Sequence, residues 1–267
     1  MRPDKLTEAS IRRGMKSSRL GMRIYVFEET DSTNARAIAL AREGAGDGTL
    51  VLAETQTLGR GRMGRIWHSP TGVNLYFSLI LRPSRAAREV PWLGLASGDA
   101  VARGLAKASG LSASVKWPND VQLSNRKVAG ILLEQAVQGE TADAVILGIG
   151  VNVNVRDGEF PPELTGSATS LRIQTGRTQD RTAVLHGLLE SLEEGYATFL
   201  RGDYRVIREN YLKRMGQMGE RVRVQSGDRF VEGVVSDLAD DGALVLRLDG
   251  GRTVSIHAGE STGLRPA

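Results

Sequence analysis

Residues 54–68 read ETQTLGRGRMGRIWH. Within them Gly59, Gly61 and Gly64 alternate with Arg60, Arg62 and Arg65. Glycine lets a backbone bend sharply and approach a ligand closely. Arginine offers a planar fork of donors that matches phosphate or carboxylate oxygens. The run has little to bury and repels itself, so it should be mobile when empty and ordered by an anion. Trp67 adds an aromatic face directly after the cations. The stretch therefore reads as a lid over something phosphorylated that carries a flat ring. A Gly/Arg run is also the texture of nucleic-acid-binding tails and of solvated loops. Position separates these readings: the run lies between two strand-like segments, residues 49–53 (TLVLA) and Leu75–Leu81 (LYFSLIL), not in a low-complexity tail. A lid joining two apolar strands belongs to a sheet.

The chain around it has 267 residues, room for one large domain, or for one large and one small domain. With 40% hydrophobic and 25% charged residues it has ordinary globular composition. The net charge of +4 favours anionic partners without choosing among nucleotides, acidic protein surfaces and nucleic acid. There is no cysteine, which excludes disulfides, thiolate zinc sites and cysteine nucleophiles. His68, His186 and His257 lie far apart and show no metal-ligand spacing. No apolar run approaches the ~20 residues that span a bilayer, and the charged N-terminus lacks the apolar core of a signal peptide. A cytoplasmic protein is the expectation.

Residues 1–21 read as a short polar, basic arm, partly helical at most. Residues 24–27 form a strand, and residues 29–43 (ETDSTNARAIALARE) turn into a helix with Asp31 or Ser32 as N-cap. Ser32, Thr33 and Asn34 read first as capping residues; a helix start also presents N–H groups and hydroxyls to a polar ligand. Residues 91–109 form a helix whose buried stripe includes Trp92, Leu93, Leu95, Val101 and Leu105. Residues 114–123 (SVKWPNDVQL) read as a strand broken by Pro118, so that an edge or a bulge is expected and Asn119 and Asp120 are free to turn toward a pocket. After a Ser124–Asn125 turn, residues 126–137 (RKVAGILLEQAV) return as a strand, with Lys127 across the hairpin from Asp120. Residues 144–155 (AVILGIGVNVNV) are strand-like, yet carry Asn152 and Asn154, and asparagine is poor in strands. Helices follow at residues 181–200 and 204–211. From about residue 216 the texture changes to short alternating strands separated by Ser226–Gly227–Asp228, Asp240–Asp241–Gly242 and Asp249–Gly250–Gly251 turns, the pattern of a small β-barrel.

Five motifs in this order, DSTN (31–34), Q-x-x-GRGRMGR-x-W (56–67), KWPND (116–120), RKVAGIL (126–132) and GIGVNVN (148–154), resemble the biotin–protein ligases. The resemblance runs from about residue 24 to the C-terminus. It implies an α+β fold: a mixed, mostly antiparallel sheet backed by helices, like the class II aminoacyl-tRNA synthetases, followed by a C-terminal SH3-like barrel. The implied divisions are an arm at 1–21, a catalytic domain at 22–215 and the barrel at 216–267. The implied activity has two steps. ATP and biotin give biotinyl-5′-AMP, and a lysine of a biotin carboxyl carrier domain then takes the biotin. By motif, Ser32, Thr33, Asn34 and Gln56 make polar contacts to biotin; Gly59, Arg60, Gly61 and Arg62 close over it. Lys127 binds the reacting carboxylate and the α-phosphate and, with Arg62, carries the catalysis. Arg62 and Arg65 meet phosphates, Trp67 packs near the adenine or over the biotin chain, and Asn152 contacts adenine. Asn119 and Asp120 fall on the phosphate–magnesium side, with Asp120 a candidate Mg2+ ligand.

Two departures stand out. Met63 occupies a lid position that is often basic in the family. Residues 1–21 are also too short and too poor in apolar residues for the DNA-binding domain of those relatives that repress biotin genes, so a ligase without a repressor role is expected. A homodimer built through the sheet is compatible with the family. Three rivals remain: a lipoate–protein ligase, a nucleic-acid-binding protein and a passive biotin binder.

Overall fold

Apolar residues at every second position build the main sheet: Leu50 and Leu52, Phe77 and Leu79, and Leu147 and Ile149 are all buried in one core. The computed structural model describes residues 5–138, 141–226, 229–257 and 259–263. Within it a seven-stranded sheet is made of β1 (Ile24–Thr30), β2 (Thr49–Gln56), β3 (Leu75–Leu81), β4 (Ser114–Lys116), β5 (Asp120–Leu123), β6 (Arg126–Gln138) and β7 (Thr141–Val151), in the order β1-β2-β3-β7-β6-β5-β4. β1 and β2 run parallel; every other neighbouring pair is antiparallel.

The two faces of the sheet differ. Helices α3 (Val90–Ser109), α5 (Arg181–Arg201) and α6 (Tyr204–Arg214) share the large core on one face. On the other, α2 (Thr33–Arg42) packs in a small cluster with Val51, Ile80 and Ile146, flanked by Tyr25 and Phe27, and beside it the sheet presents Ser78, Gly130, Gly148 and Gly150. The alternation in VILGIGV explains this: Val145, Leu147, Ile149 and Val151 feed the helical core, while Ile146, Gly148 and Gly150 face the other way. Missing side chains leave a hollow.

Several boundaries differ from the sequence reading. β1 extends through Glu29 and Thr30, and β2 extends to Gln56, because the parallel pairing continues to Thr30↔Gln56. Pro118 does not interrupt one strand. It sits in a turn, after a cis Trp117–Pro118 bond, that folds β4 back onto β5, with Lys116 opposite Asp120. β4 is the sheet edge, where a neighbouring proline removes no ladder bond. The strand expected over residues 144–155 ends at Val151. The N-terminal segment is no loose arm: Leu6, Ile11 and Leu20 are buried in the main core and α1 (Glu8–Arg12) is capped by Thr7.

Beyond α4 (Leu171–Thr175) and the helices, β8 (Arg221–Ser226), β9 (Arg229–Leu238), β10 (Leu244–Arg247), β11 (Thr253–Ile256) and β12 (Glu260–Gly263) form a second, antiparallel sheet in the order β11-β10-β9-β8-β12. The expected barrel is thus a small five-stranded antiparallel sheet whose two edge strands do not pair among the described residues. Gly227 and Asp228 of the first expected turn lie outside the described residues, as do residues 1–4 and 264–267.

Candidate active site

The hollow is a cavity of about 380 Å³. Three segments frame it: the start of α2, the residue 59–67 lid, and the β5–β6 hairpin with the loop after β7.

At the start of α2, Ser32 is in the N-cap position but makes no side-chain capping bond. Asp31 braces the turn instead, accepting from Ser32 N at 2.7 Å and from the Thr30 hydroxyl at 3.0 Å. The Ser32 N–H holds the Asp31 carboxyl below its ordinary range, partial burial opposes this, and the Thr30 hydroxyl and Arg36 reinforce it. The Ser32 hydroxyl is thereby left to the cavity. Gln56 Oε1 accepts from Thr33 N at 2.8 Å. Ser78 Oγ lies 2.6 Å from Asn34 Oδ1, and Asn34 Nδ2 donates to Glu134 at 2.7 Å. A methyl on Gly148 would stand 2.1 Å from Asn34 Oδ1, so glycine is what admits this side chain.

The lid is ordered as a small hairpin. Arg60 pairs with Ile66, Trp67 N donates to Gly59 O at 2.9 Å, and Met63 turns the tip with φ 55. Arg60 reaches Glu134 at 3.5 Å. Arg62 Nη1 donates to Asn119 Oδ1 at 3.2 Å and to the O of Gly259, the residue before β12, at 3.4 Å. The Trp67 indole lies on the sheet: Cβ atoms on Gly130 and Gly150 would come within 2.8 and 2.4 Å of it. Its Nε1 is buried without a hydrogen-bond partner among the described residues, a donor poised for an acceptor.

In the hairpin, Ser124 and Asn125 both take positive φ and return the chain so that Lys127 Nζ stands 2.6 Å from Asp120 Oδ1 and 5.3 Å from the Trp67 ring centroid. Asn119 is fixed by β6, donating to Ile131 O at 2.9 Å and accepting from Ile131 N at 3.0 Å. Asn152, just beyond β7, is buried and held through its backbone by Val128 and Leu171.

Ser32, Thr33, Asn34, Gln56, Arg60, Gly61, Arg62, Arg65, Trp67, Asn119, Asp120, Lys127 and Asn152 all line this one cavity. Gly59 does not; it abuts Trp67 O and Ser69 Oγ at the lid's base, where a Cβ would fall within 2.8 Å of both. Asn154 is outside as well, its amide spent on both backbone groups of Gln179. Sequence reasoning missed Glu134, which receives both Asn34 and Arg60. It also missed Phe160, Leu164, Ser167 and Ala168, which wall the far end. Glu134 had a signal: a carboxylate four residues past Gly130 in an apolar strand shares that glycine's face. The far wall had none, being ordinary loop sequence. Among the described residues no group of three or more His, Cys, Asp or Glu is arranged to hold a metal ion, and no helix is long and apolar enough to cross a membrane.

A model of the Biotin/lipoate A/B protein ligase family matches residues 26–152, and one of the biotin protein ligase C-terminal domain matches residues 218–260. The chain is similar to the biotin–acetyl-CoA-carboxylase ligase of Paracoccus denitrificans, 37% identical over 238 residues that cover 86% of this chain and 96% of that one. It is likewise similar to the bifunctional ligase/repressor of Bacillus subtilis (strain 168), at 35% identity over 94% of this chain and 77% of that one. Among solved structures, the biotin protein ligase of Aquifex aeolicus in complex with biotin and ATP superposes with a TM-score of 0.79 at 32% identity, covering 92% of this chain and 100% of that one.

Proposed function

The chain belongs to the biotin/lipoate A/B protein ligase family, and from that premise we propose how its cavity works as that of an ATP-dependent biotin–protein ligase. In the first half-reaction a biotin carboxylate oxygen bonds to the α-phosphorus of ATP while the bond to the β-phosphate oxygen breaks and pyrophosphate leaves. In the second, the ε-amine of a carrier lysine attacks the acyl carbon, the acyl–phosphate bond breaks with AMP as leaving group, and the amine proton passes to solvent. Neither step needs a protein nucleophile. The work is to bring two anions together and neutralise charge as it develops.

The observation that carries this reading is the convergence of the lid, the α2 start and Lys127 on one glycine-floored cavity. Ser32, Thr33, Asn34 and Gln56 form its polar end and suit the biotin ring; the lid from Gly59 to Arg62 closes that end. Lys127 takes the reacting carboxylate and α-phosphate, exchanging its Asp120 partner for them. Arg62 and Arg65 serve the phosphates, Trp67 the adenine or biotin chain, and Asn152 the base.

Magnesium would arrive with the nucleotide. Its preference for one or two carboxylates plus phosphate oxygens fits Asp120 with Asn119 beside it. Those residues would hold it, and when bound it offsets phosphate charge. The acceptor is a biotin carboxyl carrier domain, reached in the cytoplasm. No DNA-binding role is assigned to the N-terminal segment, whose described apolar residues are committed to the core. Self-association through the sheet would give the homodimer.

The test is ATP labelled on the α-phosphate, with magnesium and purified protein but no acceptor. A labelled adenylate that appears with biotin and not with lipoate is expected. Adenylate with lipoate alone would keep the mechanism and overturn the substrate; none with either, from folded protein, would overturn the enzyme.

A further inference from the structure

Asn74 precedes β3 and is fully buried. Its Oδ1 accepts from Val153 N at 2.9 Å, and its Nδ2 donates to Asn152 Oδ1 at 3.4 Å. Its own carbonyl accepts from Arg181 Nη1 at 3.2 Å. Arg181 is itself buried in a two-pronged ion pair with Glu54, at 2.6 and 3.2 Å. The side chain of Asn74 therefore has one permitted orientation. A backbone N–H can be satisfied only by an oxygen, so the amide nitrogen must be the atom that faces Asn152. Asn152 must answer with its oxygen. Its backbone is pinned by Val128 and Leu171, so the amide group is all that remains to choose, and the choice leaves Nδ2 as its other edge. Asn152 lines the cavity.

We propose that Asn74 is a positioning residue: held by Val153 and Arg181, it forces Asn152 to present an N–H donor, so the base end of the cavity selects a ring-nitrogen acceptor of the purine. The inference rests on the ligase reading, in which Asn152 meets the base, and adds what that contact is and what sets it. Polarity, not shape, is the selected property, because a flipped amide has the same outline and opposite hydrogen bonding.

Asn74→Asp tests this. With the new carboxyl ionised, the Val153 N–H keeps an oxygen acceptor but a second oxygen faces Asn152, which then turns its nitrogen inward and its oxygen to the cavity. ATP analogues with one ring nitrogen replaced by carbon (1-deaza, 3-deaza and 7-deaza) report the contact, with biotin-dependent pyrophosphate exchange as the assay. In the wild type one analogue should show a KM about tenfold above that of ATP. In Asn74→Asp the KM for ATP should rise by a similar factor, that analogue should lose its distinction, and biotin affinity and kcat should stay within about twofold. Asn152→Asp presents oxygen to the cavity with Asn74 unchanged, and it should reproduce the pattern. Unchanged ATP KM, analogue discrimination that survives Asn74→Asp, or a parallel fall in biotin affinity would overturn the proposal, as would a wild type indifferent to all three analogues. If Asn74→Asp fails to fold, Asn74→Ala, which frees Asn152 to turn, should still narrow the gap between that analogue and ATP, and an unchanged gap would overturn the proposal. Absence of any biotin-dependent exchange in the wild type would instead strike the ligase reading itself.

Discussion

At the scale of single residues the cavity balances cations against the few carboxylates that restrain them. Lys127 stands 2.6 Å from Asp120, a contact that holds its ammonium at the mouth of the hairpin until a more highly charged partner arrives. Lys127→Ala should therefore slow adenylate formation by roughly 100- to 1000-fold, the scale of removing one electrostatic stabiliser from a preorganised site, while biotin binding without ATP falls less than about tenfold. Single-turnover kinetics beside calorimetry separates the two, and equal losses in both would make Lys127 a binding residue only. Gly150 makes a second residue-scale argument. An added methyl would lie 2.4 Å from the Trp67 ring, far inside van der Waals contact, and the opposing surface is sheet backbone that cannot yield. Gly150→Ala should expel the indole from the floor, shift its fluorescence toward that of an exposed tryptophan and weaken ligand binding, yet leave the unfolding midpoint within a few degrees. Lys127 and the alternation of glycines in GIGV were both legible in the sequence. Asn74 was not, because its partners Asn152, Val153 and Arg181 lie about eighty to a hundred residues away and nothing local marks them.

At the scale of elements, the N-terminal segment shows what tertiary context adds. Its apolar residues are too sparse for a periodic signal, and sequence alone makes it an arm. In the fold, Leu6, Ile11 and Leu20 reach the core separately, and α5 anchors the chain between them through Glu193. That carboxylate accepts from Ser18, Arg19 and Leu20 N–H groups at 2.9–3.1 Å, from the Ser18 hydroxyl at 2.8 Å and from the Ser17 hydroxyl. Desolvation pushes its pKa up, but these donors outweigh it and hold the group at about 2. Since the folded value lies below the unfolded one, near 4.5, the contribution is complete above pH 4.5 and is lost as pH falls toward 2. Glu193→Gln should lower stability by about 1–2 kcal/mol at pH 7, allowing for solvent screening, and by progressively less in acid. Denaturant unfolding at pH 7 and pH 3 checks this; a constant deficit at both would refute it. Helices and strands whose patterns are local, such as α3 and β3, were read nearly to the residue, whereas β1 and β2 outran their expected ends because parallel pairing between them continues past their apolar residues.

At the scale of the whole molecule, the question is why a ligase cavity on one sheet is coupled to a second sheet. The change of texture near residue 216 was visible in the sequence; the coupling was not, since it passes through one turn. Trp117, within the KWPND run, is buried beneath the C-terminal sheet. Its backbone N–H donates to Gln217 Oε1 at 3.0 Å, Gln217 Nε2 donates to Ser261 Oγ at 2.8 Å, and Ser261 Oγ donates back to Trp117 O at 3.2 Å. This closed polar ring clamps the turn that carries Asn119 and Asp120, while Arg62 bridges from the lid to Gly259, at the entry to β12. The small sheet thus holds both the turn and the closed lid. Gln217→Ala leaves a buried Trp117 N–H unpaired, which should cost about 1–3 kcal/mol of stability. A stability loss alone would follow from any buried defect. The clamp predicts more: Asn119 and Asp120 should lose their fixed position, so the KM for ATP should rise severalfold at a temperature where the variant is fully folded, while biotin affinity, set at the α2 end of the cavity, stays constant. A destabilised variant with an unaltered KM for ATP would reduce the second sheet to a structural cover, and a rise in both would mean that the clamp supports the sheet as a whole and not the phosphate end alone.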